Sequence, residues 1–596
     1  MIERVTTQGG KALQAERPFA MRAILASLLV ITLAAAAPPA RPGPSLDDAI
    51  AAIRAYAPEA MAEQGTPGLS VAITDRTHTL AIVTLGYANL AAKTPVTPAT
   101  RFAIGSITKS MTTLALLQLR DEHRVDLNAR VRRYLPWFSI DSAGKPILVH
   151  ELLSHTAGLP DDYSVAPSYL YDVAALREAH TLFTPGTAWS YSNDGYATIG
   201  AVIAALDHRP WADSLRARVL DPIGMSDTAP VFTPDTLERA ATGYEFRDAD
   251  RPAPLHPALV PSRVMDFVDP AGSVLSTPED MALYLRVYLN GGVTASGRRL
   301  VSRASFDAMT RPDTYRNGRP AGSPVPMLAE APQFYRQYGY GLAVFGNDAS
   351  AGGDHVVGHT GGISGYTACM QANLTRGFGA IAMANLVEEP LHPCAIVLYA
   401  MRVLRAQSLG LALPAPPLAP DPALVPNGSD YSGTYTAANG TTFAIAGVPG
   451  RVVMIDHGQS YACYPRGPDL LWSSDPHYAL FLLHFGRNAS KHVVEATYGS
   501  QWFGNRQYFG PRGWSHPRRW DAYLGRYENT FWGSPDVVRV IVVKGVLTLD
   551  GLQPLSPQRN GTFTAGSDVV RFDVVAGGKT QRMRVDDIDL YRVELP

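Results

Sequence analysis

An α/β (α+β) domain followed by an all-β tail is the fold class the sequence predicts, and three observations predict it. Between residues 41 and 405 helix-period segments mix with strand-like ones. The proline-rich stretch Leu413–Pro426 then interrupts that pattern, and beyond it only strands and turns follow. At 596 residues the chain is too long for one ordinary domain. Its formal net charge of −1 gives no basic footprint for nucleic acid, and no long run of like charge marks an interaction tail.

The amino terminus reads as an export signal. Met21-Arg22 precedes an apolar run from Ala23 to Ala37, followed by Pro38-Pro39-Ala40-Arg41-Pro42. The run is shorter than the ~18 residues of a membrane-spanning helix and ends in small residues suited to signal peptidase. Residues 1–40 are read as signal peptide and upstream extension, with Met21 as the start. The expectation is a secreted or periplasmic protein with no stable membrane insertion after signal removal. A membrane anchor formed by residues 23–37 is the alternative. No cysteine follows the run, so a lipoprotein anchor is not indicated.

Ser106-Ile-Thr-Lys109 opens the next informative segment. Apolar residues at Ile107, Met111, Leu114, Leu117 and Leu119, with good helix formers between them, predict an amphipathic or buried helix. On a helix, positions i and i+3 share a face, so Ser106 and Lys109 meet. Ser142-Ala-Gly-Lys145 repeats the spacing, but Gly144 and Pro146 mark a turn that does not hold such a face together. Tyr191-Ser-Asn193 lies in a Pro- and Gly-containing loop, Thr184-Pro-Gly to Gly195, between predicted helices, where catalytic side chains tend to project. Three rival Tyr-x-Asn strings are weaker: Tyr288 falls on a packed helical pattern, Tyr315 in a polar loop and Tyr527 in the β-rich tail. His359-Thr360-Gly361-Gly362 occurs once.

The chemistry explains these residue types. A serine hydroxyl is a poor nucleophile until a neighbouring base takes its proton. Near a helix amino terminus, Ser106 also feels the positive end of the backbone dipole. Lys109 acts as base if neutral, or holds Tyr191 as phenolate if charged; the sequence leaves both open.

In this order the three strings resemble the active-site set of the serine β-lactamase and penicillin-binding D-Ala-D-Ala peptidase superfamily, in particular its class C-like branch with its esterases and D-aminopeptidases. The resemblance covers about residues 45–405, where Glu151–Pro160, Asp221–Thr228 and Tyr338–Val344 also look like family landmarks. It implies a β-lactamase/transpeptidase-like fold: an antiparallel sheet flanked by helices on both faces, with a helical lobe over residues 115–330. It implies an acyl-enzyme on Ser106, with Lys109 and Tyr191 carrying protons and Asn193 bonding the lysine and a substrate amide. The strand holding His359, Thr360, Gly361 and Gly362 would be the edge beside the substrate. The N–H groups of Gly362 and Ser106 would form an oxyanion hole, and Gly361 and Gly362 would let backbone approach the ligand. The implied substrate is a small molecule or peptide bearing an amide, β-lactam or ester bond, D-amino-acid peptides included; oligomeric state is left open. The third motif commonly begins with lysine. His359 in its place suggests a group that titrates near neutrality and either meets a substrate carboxylate as imidazolium or passes a proton to the leaving group; a histidine that only buttresses the strand is the other reading. His155 is expected to be structural, bonding backbone. The Pro- and Gly-rich segment 311–337 is a candidate lid.

Cys369, Cys394 and Cys463 form no even framework and match no zinc spacing, so neither metal nor other cofactor is expected. Cys369 and Cys394 could pair; an apolar core role is the other reading for Cys369. The domain expectation is 41–405 for the hydrolase, 406–428 for a semi-rigid linker, and 429–515 and 516–596 for two β-barrel-like units. Tyr431-Ser-Gly-Thr-Tyr435 and Tyr523-Leu-Gly-Arg-Tyr527 suggest the repeat. Val537–Val543 with Val546–Leu549, and Val569–Val575 with Gln581–Val585, read as hairpins. Such tails resemble lipocalin-like barrels appended to hydrolases of the superfamily; one larger β-domain is the alternative. A second functional reading, from another class, is a catalytically silent module that binds peptidoglycan or peptide.

Overall fold

The computed structural model describes residues 43–160, 168–248, 251–252, 257–262, 267–312, 337–345, 353–387, 393–418, 421–529, 536–566, 568–585 and 588–593. The export segment, the alternative anchor at 23–37, Tyr315 and most of the candidate lid lie outside these residues. Among the described residues no helix is long and apolar enough to cross a membrane.

The chain is built of helices packed on antiparallel sheets, with an all-β tail, as its sequence predicts. Its centre is a seven-stranded antiparallel sheet built from β1 (Gly68–Asp75), β2 (Thr79–Asn89), β3 (Thr94–Pro95), β4 (Ala343–Phe345), β5 (Val356–Ile363), β6 (Tyr366–Asn373) and β7 (Phe378–Ala384). The strand order is β3-β2-β1-β7-β6-β5-β4, so the chain enters on one half of the sheet, leaves it at Pro95 and returns at Ala343 to build the other. Helices cover both faces, and the strands read accordingly as nearly continuous small and apolar runs. On β7, Ala380, Ala382 and Ala384 face one core while Ile381 and Met383 face the other. The first core is closed by α1 (Leu46–Gln64) and α5 (Pro393–Ser408). The second is shared with α2 (Thr108–Asp121), α3 (Asn193–Asp207) and α4 (Pro278–Leu289) of the helical lobe.

Cys369 on β6 and Cys394 on α5 form a disulfide, resolving the pairing the spacing left open. Cys463 is a free, buried thiol. Residues 411–418 form neither helix nor strand, as the prolines dictate. Beyond them, eight antiparallel strands between Gly433 and Gly504 close into a barrel, the first pairing with the last through Thr436 to Gly504 and Ala437 to Phe503. A nine-stranded sheet follows between Gly525 and Val593. Its two terminal strands, Gln553–Pro554 and Ser556–Pro557, are separated by Leu555 alone, so the sheet's edges adjoin. Both hairpins lie where the alternation puts them, Lys544-Gly545 and Gly577-Gly578 turning with positive φ. The two Tyr-x-Gly-x-Tyr strings are also structural counterparts. Tyr435 Oη donates to the Tyr431 carbonyl at 2.8 Å, and Tyr527 Oη donates to the Tyr523 carbonyl at 2.7 Å.

Candidate active site

Ser106 sits in a 3-10 turn, Gly105–Ile107, that leads directly into α2. The helix is wrapped on all sides, with every residue from Thr108 to Leu119 buried. Lys109 is therefore held at zero exposure in the first turn of a buried helix. Its Nζ lies 3.0 Å from Ser106 Oγ, 2.6 Å from Asn193 Oδ1 and 3.0 Å from the Ala271 carbonyl. Three neighbours match the capacity of an amine that must not be left unsatisfied out of water. The face of the Tyr191 ring lies 4.7 Å from the same nitrogen.

Asn193 and Tyr191 arrive together because α3 begins there. Ser192 caps it, its Oγ accepting from the Gly195 N–H. The loop Glu151–Pro160 fixes the approach: the Ser190 N–H donates to the His155 carbonyl at 3.0 Å, and Ser192 Oγ donates to the Pro160 carbonyl at 3.1 Å. His155 does bond backbone, as expected: its Nδ1 accepts from the Ser192 N–H at 3.1 Å. It does more than that. Its ring lies 4.3 Å from that of Tyr191 and 4.9 Å from that of Tyr338, so it is the piece against which the Tyr191 ring rests. Burial pushes its pKa well below the usual histidine value, with Lys109 and His359 adding to the effect.

The His359–Gly362 motif lies on β5, as the resemblance implies, but β5 is not the outermost strand. The three-residue β4 covers only Val356–Gly358, so from His359 to Ile363 the strand keeps an edge that β4 does not pair. That half faces the turn that holds Ser106. A Cβ on Gly361 would lie 1.9 Å from the Ile104 carbonyl oxygen, and one on Gly105, whose φ is +48°, would lie 2.7 Å from the Gly362 nitrogen. Gly361 and Gly105 are thus required by contact between two protein backbones. This corrects the reading of Gly361 as room for a ligand. Gly362 is different: it is exposed, and a Cβ there would meet nothing within 4 Å. Thr360 is buried beside it.

His359 requires a second correction. Its imidazole is fully buried. Nδ1 lies 2.5 Å from the Thr360 carbonyl and Nε2 2.8 Å from Tyr338 Oη. A carbonyl only accepts, so Nδ1 carries the proton and Nε2 accepts from the tyrosine hydroxyl. Burial, then the proximity of Lys109, pushes the pKa down to about 3. A ring neutral at ordinary pH and bonded to protein through both nitrogens does not greet a substrate carboxylate as imidazolium.

Of the rival tyrosines, Tyr288 is a core residue bonded to Tyr284 at 2.7 Å, and Tyr527 belongs to the tail. Sequence reasoning missed the Ala271 carbonyl altogether, since backbone acceptors leave no residue-type signal. The only trace is the turn Asp269-Pro-Ala-Gly272, pinned to α2 by Thr112 Oγ1 donating to the Pro270 carbonyl at 2.8 Å.

The protein-family model described as Beta-lactamase matches residues 53–396. The chain is 30% identical over 223 residues to Penicillin-binding protein 4 of Amycolatopsis lactamdurans, covering 36% of this chain and 57% of that protein. It is 23% identical over 339 residues to Penicillin-binding protein 4* of Bacillus subtilis (strain 168), covering 54% of this chain and 69% of that one. The chain thus spans little more than half the length of the first of these relatives. Among solved structures, the octameric penicillin-binding protein homologue from Pyrococcus abyssi superposes with a TM-score of 0.53 at 22% identity. That superposition covers 76% of this chain and 99% of the other, a likeness of fold.

Proposed function

The chain belongs to the Beta-lactamase family of serine hydrolases, and from that premise we propose that it cleaves an amide, β-lactam or ester bond through an acyl-enzyme on Ser106. The observation that carries the proposal is the hydrogen-bond set at Lys109. Asn193 Oδ1 and the Ala271 carbonyl only accept, so two N–H bonds of Lys109 are committed to them. The third direction points at Ser106 Oγ, 3.0 Å away. A neutral amine there has its lone pair aimed at the hydroxyl proton, which makes Lys109 the general base for attack.

Ser106 Oγ then bonds to the carbonyl carbon, its proton passing to Lys109. The N–H groups of Ser106 and Gly362, on two main chains in close approach, take the developing oxyanion. Tyr191, against Lys109, hands a proton to the leaving group as the carbon–leaving-group bond breaks. Lys109 passes the proton it took from Ser106 to Tyr191; water, deprotonated by the same pair, then attacks the acyl carbon, the bond to Ser106 Oγ breaks, and the proton returns to that oxygen as the acid leaves. His359 and Tyr338 hold the strand and leave the proton transfers to others. Exposed Gly362, on the stretch of β5 that β4 leaves unpaired, offers a peptide group to an extended substrate, which favours peptides, D-amino-acid peptides included, and their β-lactam mimics over simple esters. Penicillin recognition in the names of the relatives supports the same choice. We further propose export, supported by the apolar run at 23–37 and by the Cys369–Cys394 disulfide, a bond that persists in oxidising compartments.

The test is intact-protein mass spectrometry after incubation with benzylpenicillin or a serine-directed phosphonate. A covalent adduct on the wild type, absent from Ser106→Ala, is expected. No adduct with either reagent, or one that persists in Ser106→Ala, overturns the proposal.

A further inference from the structure

The eight-stranded barrel carries a side-chain cluster that the proposed hydrolysis does not use. Asp456 ends the strand Arg451–Asp456, while Asp475 and His477 belong to the 3-10 turn Pro476–Tyr478 and its cap. Strand direction brings both to the same end of the barrel. One ligand-type atom from each of the three lies within 4.8 Å of the others. His477 Nδ1 is 3.3 Å from Asp456 Oδ2 and 3.4 Å from Asp475 Oδ1.

The burial of the two acids is what sets this cluster apart from ordinary surface charge. The side chain of Asp475 has no exposure and that of Asp456 has 6%, whereas His477 is 68% exposed. Two carboxylates brought together out of water repel one another and lose hydration, a combination that a bound cation relieves. Among the described residues no lysine or arginine pairs with either. Their ionic neighbours are imidazoles: His477, and His457 at 3.8 Å from Asp456. Independently, Asp475 Oδ2 is buried and receives no hydrogen bond from the described residues. The other oxygen of the same carboxylate accepts the His477 N–H at 2.9 Å, which fixes the group facing the histidine.

We propose that Asp456, Asp475 and His477 form a divalent-cation site of the Zn2+ class at one end of the first barrel. Two carboxylate oxygens and one imidazole nitrogen make a three-ligand set with room for water, which suits Zn2+. Ca2+ takes six to eight oxygens, more than this cluster offers. The exposed His477 side is the route by which an ion reaches the buried acids. Bound there, the cation ties the end of one strand to the turn that joins two others, and it neutralises the facing carboxylates. Cysteine spacing carries no sign of such a site, since its three donors are two aspartates and a histidine spread over 22 residues.

The test uses untagged full-length protein stripped with chelator and titrated with ZnCl2 by calorimetry, with thermal melting and CoCl2 absorbance alongside. Wild type is expected to take up one equivalent, gain thermal stability and show a Co2+ ligand-field band. Asp475→Asn and His477→Ala are each expected to bind at least about tenfold more weakly while hydrolysis is unchanged. Asp475→Asn is isosteric and removes one of the facing charges, so its metal-free form should melt no lower than wild type. His477 is exposed enough that its loss does not threaten folding. Absence of Zn2+ binding, or unchanged affinity in both variants, overturns the proposal. Stabilisation by CaCl2 and not by ZnCl2 overturns the assigned class.

Discussion

Ser106–Lys109 and Ser142–Lys145 share one sequence pattern and differ in backbone, and the backbone decides everything that follows. At 106–109 the chain passes from a 3-10 turn into α2, and the lysine nitrogen comes to 3.0 Å from the serine oxygen. At 142–145 the chain reverses: Ala143 and Gly144 have φ of +51° and +81°, and the Lys145 N–H closes the turn on the Ser142 carbonyl. There the Ser142 hydroxyl donates to the Lys145 carbonyl at 2.5 Å, while the Lys145 ammonium reaches away to the Pro185 carbonyl. A spacing is therefore a hypothesis about a helix. The first pair has a buried lysine with Ser106, Asn193 and Ala271 among its partners, and the second a serine turned onto its own turn.

The largest expected effect is at the first pair. Ser106→Ala should lower kcat/KM for a D-alanyl anilide by roughly 10^4-fold or more, since nucleophile losses in such sites approach the whole contribution of the machinery. Residual turnover within tenfold of wild type would break the comparison. Lys109→Met should cost about 10^3-fold in rate. It should also lower the melting temperature, because Asn193 Oδ1 and the Ala271 carbonyl each lose a buried donor at about 1–3 kcal/mol apiece. A rate loss with no change in stability would contradict the hydrogen-bond set described for Lys109.

Tyr191→Phe keeps the ring against His155 and Lys109 and removes only the hydroxyl. A fall of about 10^2-fold in kcat with little change in melting temperature is expected; unchanged kcat would move the proton transfer elsewhere. His359 gives a subtler contrast, read in stability. Its pKa of about 3 lies below the unfolded value, so below pH 6.5 the unfolded chain binds a proton that the native one refuses. Stability should be complete above about pH 6.5 and decline towards pH 4 by a few kcal/mol. Denaturant melts of wild type and His359→Asn should differ in that slope, and identical slopes would count against the buried neutral ring. Smallest of all, Ser142→Ala, whose hydroxyl only closes its own turn, should leave kcat/KM within about twofold.

The legible part of this site was whatever depends on local periodicity. The helix after Ser106, the loop before α3 and the glycine-bearing strand are each read within a dozen residues. Ala271 was out of reach, because its contribution is a main-chain carbonyl presented by a turn 162 residues from Lys109. Between the readings of His359 the sequence could not choose, for a related reason. Its residue type announces titration near neutrality, while its burial is set by Tyr338 and Thr360, whose packing no one-dimensional pattern reports. In the tail, the Lys544-Gly545 turn was readable from its two letters. The closing of the first barrel was not, since it depends on residues near 436 meeting residues near 504.

The Cys369–Cys394 bond has a consequence beyond holding a sheet to a helix. In the β5–β6 register Cys369 stands directly opposite Thr360, so the cross-link braces the strand that backs the third motif. Closing a loop of this length restrains the unfolded chain by on the order of 3 kcal/mol. Thiol reagents therefore act first on the strand beside Thr360, so reduction loosens the packing behind the His359–Gly362 segment before it reaches Ser106 and Lys109 on α2.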